Sequence, residues 1–253
     1  MNKEILNQWR VTKYNPNYRN NEGHYTKPEE WTSASDIGKI IDSKTFTIEE
    51  YLQIEQTYIN AIIHIIKLNN VESVRILNFK KNNMDKRSPL YESKFHLLNF
   101  KEDSEISIEN IPTLSRMVLR EFIFCHFYSN DFFIHFGYDY YLYFGSNSVQ
   151  TKQIEDVVDE SLFVEEMRSP FYISEKDVKR TIEWSRIGGE IIEGEETLLK
   201  ISLYEFRREL GISDNHPVIG VFPITKESSS FFRGKMNHNM DFNKNNYFLV
   251  AGD

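Results

Sequence analysis

The sequence holds one cysteine, three alanines, seven prolines and eleven glycines in 253 residues. A single cysteine excludes a disulfide scaffold and any cysteine-rich zinc site. No Walker phosphate loop, G-x-G-x-x-G or G-x-S-x-G motif occurs, so the local signatures of nucleotide binding and serine hydrolysis are missing. No stretch approaches 18 uninterrupted apolar residues, which excludes a helical membrane span. Met1 to Tyr14 contain no apolar run of signal-peptide length. A cytoplasmic location is therefore expected. The scarcity of alanine beside 22 Asn, 27 Ile and 18 Lys is what an AT-rich bacterial genome produces through codon use. Individual asparagines consequently carry little functional weight.

What is present is apolar and aromatic enough to fold. Hydrophobic residues make up 40% and aromatics 14%, too many for a disordered chain. The length suits one large domain or two small ones. The formal charge is −8, which argues against general nucleic-acid binding, because phosphate contacts need a basic surface. Residues 1–126 hold 17 basic and 17 acidic side chains, and residues 127–253 hold 13 and 21, so the whole surplus lies in the second half. It is densest over residues 155–209, in Glu155, Asp156, Asp159, Glu160, Glu165, Glu166, Glu193, Glu195 and Glu196. Such a stretch is either a solvated face that keeps the protein soluble or a surface that meets a basic partner.

Periodicity and capping signals predict an α+β fold with a mainly antiparallel sheet and packed helices. Trp9 to Tyr14 alternate as a strand, ended by Pro16. Residues 17–38 show neither period and read as a long ordered loop, a feature often functional. Thr47 and Glu50 form a capping box for a helix ending at Asn69-Asn70. Strands are predicted at 71–79 and 94–100, and a second helix at 111–128. A hairpin follows over 131–145, with Phe132, Ile134 and Phe136 on one strand and Tyr140, Leu142 and Phe144 on the other. Ser174 to Asp177 signal a helix over 175–187, stopped by Gly188-Gly189. A short helix opens at Ser202 and ends at Gly211. Strands are predicted at 197–201, 217–225 and 247–251. A single domain over 1–253 is expected, with a possible division near residue 146.

Chemical candidates are few. Seven scattered histidines include no His-x-x-x-His pair, so neither a metal nor a cofactor is expected. Met236-x-His238-x-Met240 reads as a coincidence in a polar loop. Cys125 reads as an inert core thiol, and His64 and His135 as structural or surface histidines. In the aromatic hairpin, Tyr141 and Tyr143 share one face and suit a protein contact. The loop offers Arg19, Glu30 and Asp36. Arg19 is in reach of Glu22, Glu30 or Asp36 in a self-satisfied loop. Alternatively, Arg19 recognises an anion that Glu30 or Asp36 orients, as a small carboxylate-dependent hydrolase or transferase requires. Trp31 would pin this loop to the core.

The string Tyr14-Asn15-Pro16-x-x-Arg19-Asn20, followed by Glu30-Trp31-Thr32-Ser33-x-x-Asp36-Ile37-Gly38, resembles an uncharacterised family of bacterial cytoplasmic proteins. The hairpin Phe136-Gly137-Tyr138-Asp139-Tyr140-Tyr141 and the run from Val164 to Pro170 share the resemblance. It implies a stand-alone bacterial protein of the immunity kind that neutralises a toxin, and it supplies no catalytic residues. The leading expectation is a non-enzymatic interaction protein whose acidic surface binds a basic protein partner. The carboxylate enzyme is the alternative, and its three side chains must converge in one open cleft.

Overall fold

The computed structural model describes residues 4–27, 32–82 and 84–252. Glu30 and Trp31 lie outside the described residues. The chain divides into two compact units, one running to Tyr172 and one from Ile173 to Asp253. The charge change near residue 146 falls inside the first unit, at the end of a strand.

In the first unit the elements are β1 (Asn7–Thr12), β2 (Ile40–Ile41), β3 (Lys44–Thr45), α1 (Ile48–Leu68), β4 (Ser73–Lys81), β5 (Glu105–Ser107), α2 (Ile111–Leu119), β6 (Ile123–Ser129), β7 (Phe132–Phe136), β8 (Leu142–Ser146), α3 (Thr151–Glu155) and β9 (Phe163–Glu166). Seven strands form one antiparallel sheet in the order β5-β4-β6-β7-β8-β1-β9. The expected mainly antiparallel α+β fold is what the chain adopts.

Helix α1 starts where Thr47 and Glu50 cap each other's backbone. Its stripe of Tyr51, Tyr58, Ile62, Ile65 and Ile66 is buried in one core with Val11, Phe127, Ile134 and Phe144. Strand side chains alternate across a sheet, so the neighbours of these core residues point to the opposite face. That second face carries Arg10, His126, His135 and Tyr143, beside a smaller cluster of Ile5, Leu77, Tyr128 and Phe133.

The helix predicted at 111–128 stops early. Arg120 caps it, Glu121 takes a left-handed backbone (φ 62°), and Ile123–Ser129 become β6 in mid-sheet. A strand buried on both faces is apolar all round and mimics a buried helix. The strand predicted at 94–100 is a 3-10 turn, Ser93–Leu97.

The second unit contains β10 (Lys179–Arg186), β11 (Ile192–Thr197), α4 (Leu203–Leu210), β12 (Gly220–Ile224), α5 (Ser229–Arg233) and β13 (Asn245–Gly252). Its antiparallel sheet runs β11-β10-β13-β12, over a core that includes Ile182, Phe206, Phe222, Phe232 and Leu249. The helix predicted at 175–187 is a second correction. Its capping signal yields only the turn Glu175–Asp177, and the alternation of Ile182 and Trp184 with polar neighbours makes β10. Gly188 and Gly189 form the turn that follows β10 rather than a helix stop, with the Gly189 N–H donating to the Arg186 carbonyl. The predicted strand at 197–201 is replaced by β11, which ends at Thr197. Helix α4 matches its signals, from the Ser202–Glu205 capping box to Gly211 in the left-handed region (φ 66°).

Candidate functional site

Strand register assembles a polar row across the second face of the large sheet. His135 on β7 lies opposite Tyr143 on β8, Tyr143 opposite Arg10 on β1, and Arg10 opposite Glu165 on β9. His126 on β6 sits beside His135, with ring centroids 4.6 Å apart and the rings tilted by 53°. Five strands thus contribute five adjacent side chains, drawn from positions 10 to 165.

Glu165 is the electrostatic centre of the row. Arg10 donates to both of its oxygens, Nη2 to Oε1 at 2.8 Å and Nε to Oε2 at 3.0 Å. Arg19 reaches it from the N-terminal loop, with Nε 3.3 Å from Oε1 and Nη2 3.4 Å from Oε2. Both arginine side chains are 9% exposed and the carboxylate 19%. Burial alone would lower the Arg10 pKa, but the Glu165 hydrogen bonds and charge outweigh it and raise it. The two guanidiniums lie 5.4 and 5.5 Å from the Tyr141 ring centroid, and Arg19 Nη1 donates to the Tyr141 hydroxyl at 3.2 Å. Burial raises the Tyr143 pKa against the opposing charge of Arg10.

Burial disfavours the charged form of the two histidines in this row. Burial lowers the His126 pKa to about 3, and burial plus its neighbour His126 lowers that of His135 well below the usual value. The Phe136 N–H donates to His126 Nδ1 at 3.2 Å, and His135 Nδ1 bonds the Ser169 hydroxyl at 2.8 Å. Cys125, on the opposite side of β6, is fully buried, and burial raises its thiol pKa.

These contacts revise several sequence expectations. Arg19 pairs with Glu165, not with Glu22 or Asp36. Asp36 instead accepts from the Ser33 N–H at 2.7 Å and from Lys39 Nζ at 2.7 Å. Arg19 and Asp36 therefore serve different partners, and Glu30 lies outside the described residues. Tyr143 is only 7% exposed and Tyr141 half-buried, so they form a wall for the arginines rather than an open contact face. Glu165 is neutralised and leaves the accessible acidic set. Glu166 is exposed and accepts from the Thr151 hydroxyl.

Glu155, Asp156, Asp159 and Glu160 behave differently. All four are exposed at the end of α3 and in the segment before β9. Glu155, Asp159 and Glu160 line a groove of about 260 Å³ with Pro16, Val158 and Phe163. No ion pair engages any of the four among the described residues. The acidic stretch 155–209 is divided between the two units. In the second, Glu193 pairs with Arg186, and Glu196 accepts the backbone N–H groups of Asn237 and His238. His238 stacks on Trp184 at 4.0 Å and Met240 is buried, so the Met-x-His-x-Met string is part of a packed core. Among the described residues, no group of three or more His, Cys, Asp or Glu is placed to hold a metal ion. Nor is any helix among them long and apolar enough to cross a membrane.

Residues 179–250 match a family described as a domain of unknown function, DUF7683. The matched segment runs from the first residue of β10 into β13. It covers the sheet of the second unit and none of the motifs between residues 14 and 170. No curated protein and no solved structure matches the chain.

Proposed function

We propose that this chain is a non-enzymatic protein-interaction module that binds a basic protein partner through Glu155, Asp156, Asp159 and Glu160, in the manner of an immunity protein masking a basic toxin. One contrast carries the reading. The carboxylates that hold the first unit together are matched by cations: Glu165 by Arg10 and Arg19, Glu55 by Arg120, Asp36 by Lys39. The four around α3 are exposed, close in sequence and, among the described residues, without such cation partners. Like charges held close together repel one another, and a cationic surface relieves that repulsion while accelerating encounter.

The bacterial cytoplasmic setting belongs to the same proposal. It rests on the composition and on the motif resemblance. The test is the salt dependence of partner capture. A basic protein retained at low salt and weakened at moderate salt supports the reading, and recovery of no protein at either salt opposes it. The carboxylate-enzyme alternative calls for Arg19, Glu30 and Asp36 in one cleft; Arg19 is engaged by Glu165 and Asp36 by Ser33 and Lys39.

A further inference from the structure

A cavity of about 280 Å³ opens in the first unit where three turns meet. These are the β7–β8 turn, the α2–β6 junction and the segment at Ser33. Its walls are aromatic: Phe124, Phe136, Tyr138, Tyr140 and Tyr141. Two carboxylates, Glu121 and Asp139, also line it. Neither forms an ion pair among the described residues. Partial burial, then the negative charges of Asp139 and Asp36, raises the Glu121 pKa. Tyr138 is 82% exposed at the end of the hairpin. Tyr140 is buried, its hydroxyl set against that of Tyr51 and with no other hydrogen-bond partner among the described residues. An apolar-walled pocket with convergent polar groups is the usual form of a small-ligand site, and this volume falls just below the roughly 300–1,000 Å³ range of drug-sized ligands, which suits a small one.

We propose that this cavity binds an organic cation, a single guanidinium or ammonium head carried on a short apolar chain. Aromatic faces attract such a head through their quadrupoles. Glu121 and Asp139 supply the opposite charge, and the Tyr140 oxygen can accept one of its N–H groups. The apolar walls suit the alkyl stem. An anion is disfavoured by both carboxylates, and a neutral ligand leaves them uncompensated. The site is built from different elements than the acidic groove beside α3, so it stands or falls separately from the partner-binding proposal.

Calorimetric titration of the full chain tests this with three probes. Ethylguanidinium presents the bare head, the capped peptide Gly-Arg-Gly presents it on a side chain, and the citrulline peptide is the neutral isostere. Saturable binding of a charged probe is expected, with the citrulline peptide weaker by about tenfold or more. Tighter binding of the arginine peptide than of ethylguanidinium assigns the head to a protein side chain, and equal binding assigns it to a free small cation. Glu121→Gln with Asp139→Asn is expected to weaken the charged probes by about fivefold or more. Tyr138→Ala, at an exposed position, should weaken them while leaving the melting temperature unchanged. The proposal is overturned if no charged probe saturates, if citrulline binds equally well, or if the folded variants retain full affinity.

Discussion

Replacing Glu165 by Gln removes the carboxylate that faces both Arg10 and Arg19. The substitution preserves shape, so the loss is electrostatic. Hydrogen bonds to charged groups contribute about 1.5–3 kcal/mol each. Arg10 makes two good ones and Arg19 a longer, weaker contact. Glutamine keeps one acceptor but turns an NH2 toward a guanidinium. Breaking a fully buried pair costs about 3–5 kcal/mol. Because Glu165 keeps 19% exposure, solvent screening reduces this, and a loss of about 2–3 kcal/mol is expected. Urea unfolding at pH 7 reads it as a lower midpoint at unchanged slope for the first unit. The comparison is Glu155→Gln, Asp159→Asn and Glu160→Gln combined, which should leave stability within about 0.5 kcal/mol or raise it. A Glu165→Gln loss below about 0.5 kcal/mol, or an equal loss in the triple variant, refutes the division into carboxylates with and without a cation partner.

Other consequences follow from the same contacts. Arg120 is bound by Glu55 at 2.6 and 2.7 Å, with side chains 5% and 2% exposed, so Glu55→Gln should cost about 3 kcal/mol or more in urea unfolding. Burial works to raise the Glu92 pKa, but the Lys94 hydrogen bond and the Arg120 charge outweigh it and hold it below the usual 4.5. Its contribution is therefore complete above about pH 4.5 and is lost as pH falls through the lower folded value, a decline that Glu92→Gln should reduce. His126 and His135 stay neutral in the fold but titrate near 6.5 when unfolded. The unfolded chain then binds more protons, and stability falls by up to about 1.4 kcal/mol per histidine per pH unit below about pH 6.5. Unfolding at stepped pH should show a shallower decline for His126→Gln. A Cβ on Gly194 would stand 2.3 Å from the Trp184 ring, so Gly194→Ala should destabilise the second unit by about 1–3 kcal/mol in thermal unfolding.

Local signals identified local structure. The Thr47–Glu50 box, the alternation through Phe132, Ile134 and Phe136, and the Ser202 cap with Gly211 each specify an element that forms. They fail where two periods compete. Ile123 to Tyr128 are apolar at every position but His126, because β6 sits mid-sheet between two covered faces. Ser174 caps a single turn before the alternation of β10 takes over. The candidate site was legible only in its parts. Arg19, Tyr141, Tyr143 and Glu165 were each conspicuous, yet Glu165 meets Arg10 across 155 residues and Arg19 across 146. Only strand register brings them together, and no spacing rule carries register between distant strands. The same register separates the paired glutamate from the exposed acids five to ten residues before it.

We propose that the exposed carboxylates beside α3 receive a basic partner. Capture from host lysate by the wild-type chain and by a Glu155→Lys, Asp159→Lys, Glu160→Lys variant, at low and moderate salt, tests it most directly. A retained protein that mass spectrometry identifies as strongly basic, weaker at moderate salt and absent from the folded variant, is expected. Recovery of no partner, or of the same partner by both chains, contradicts it.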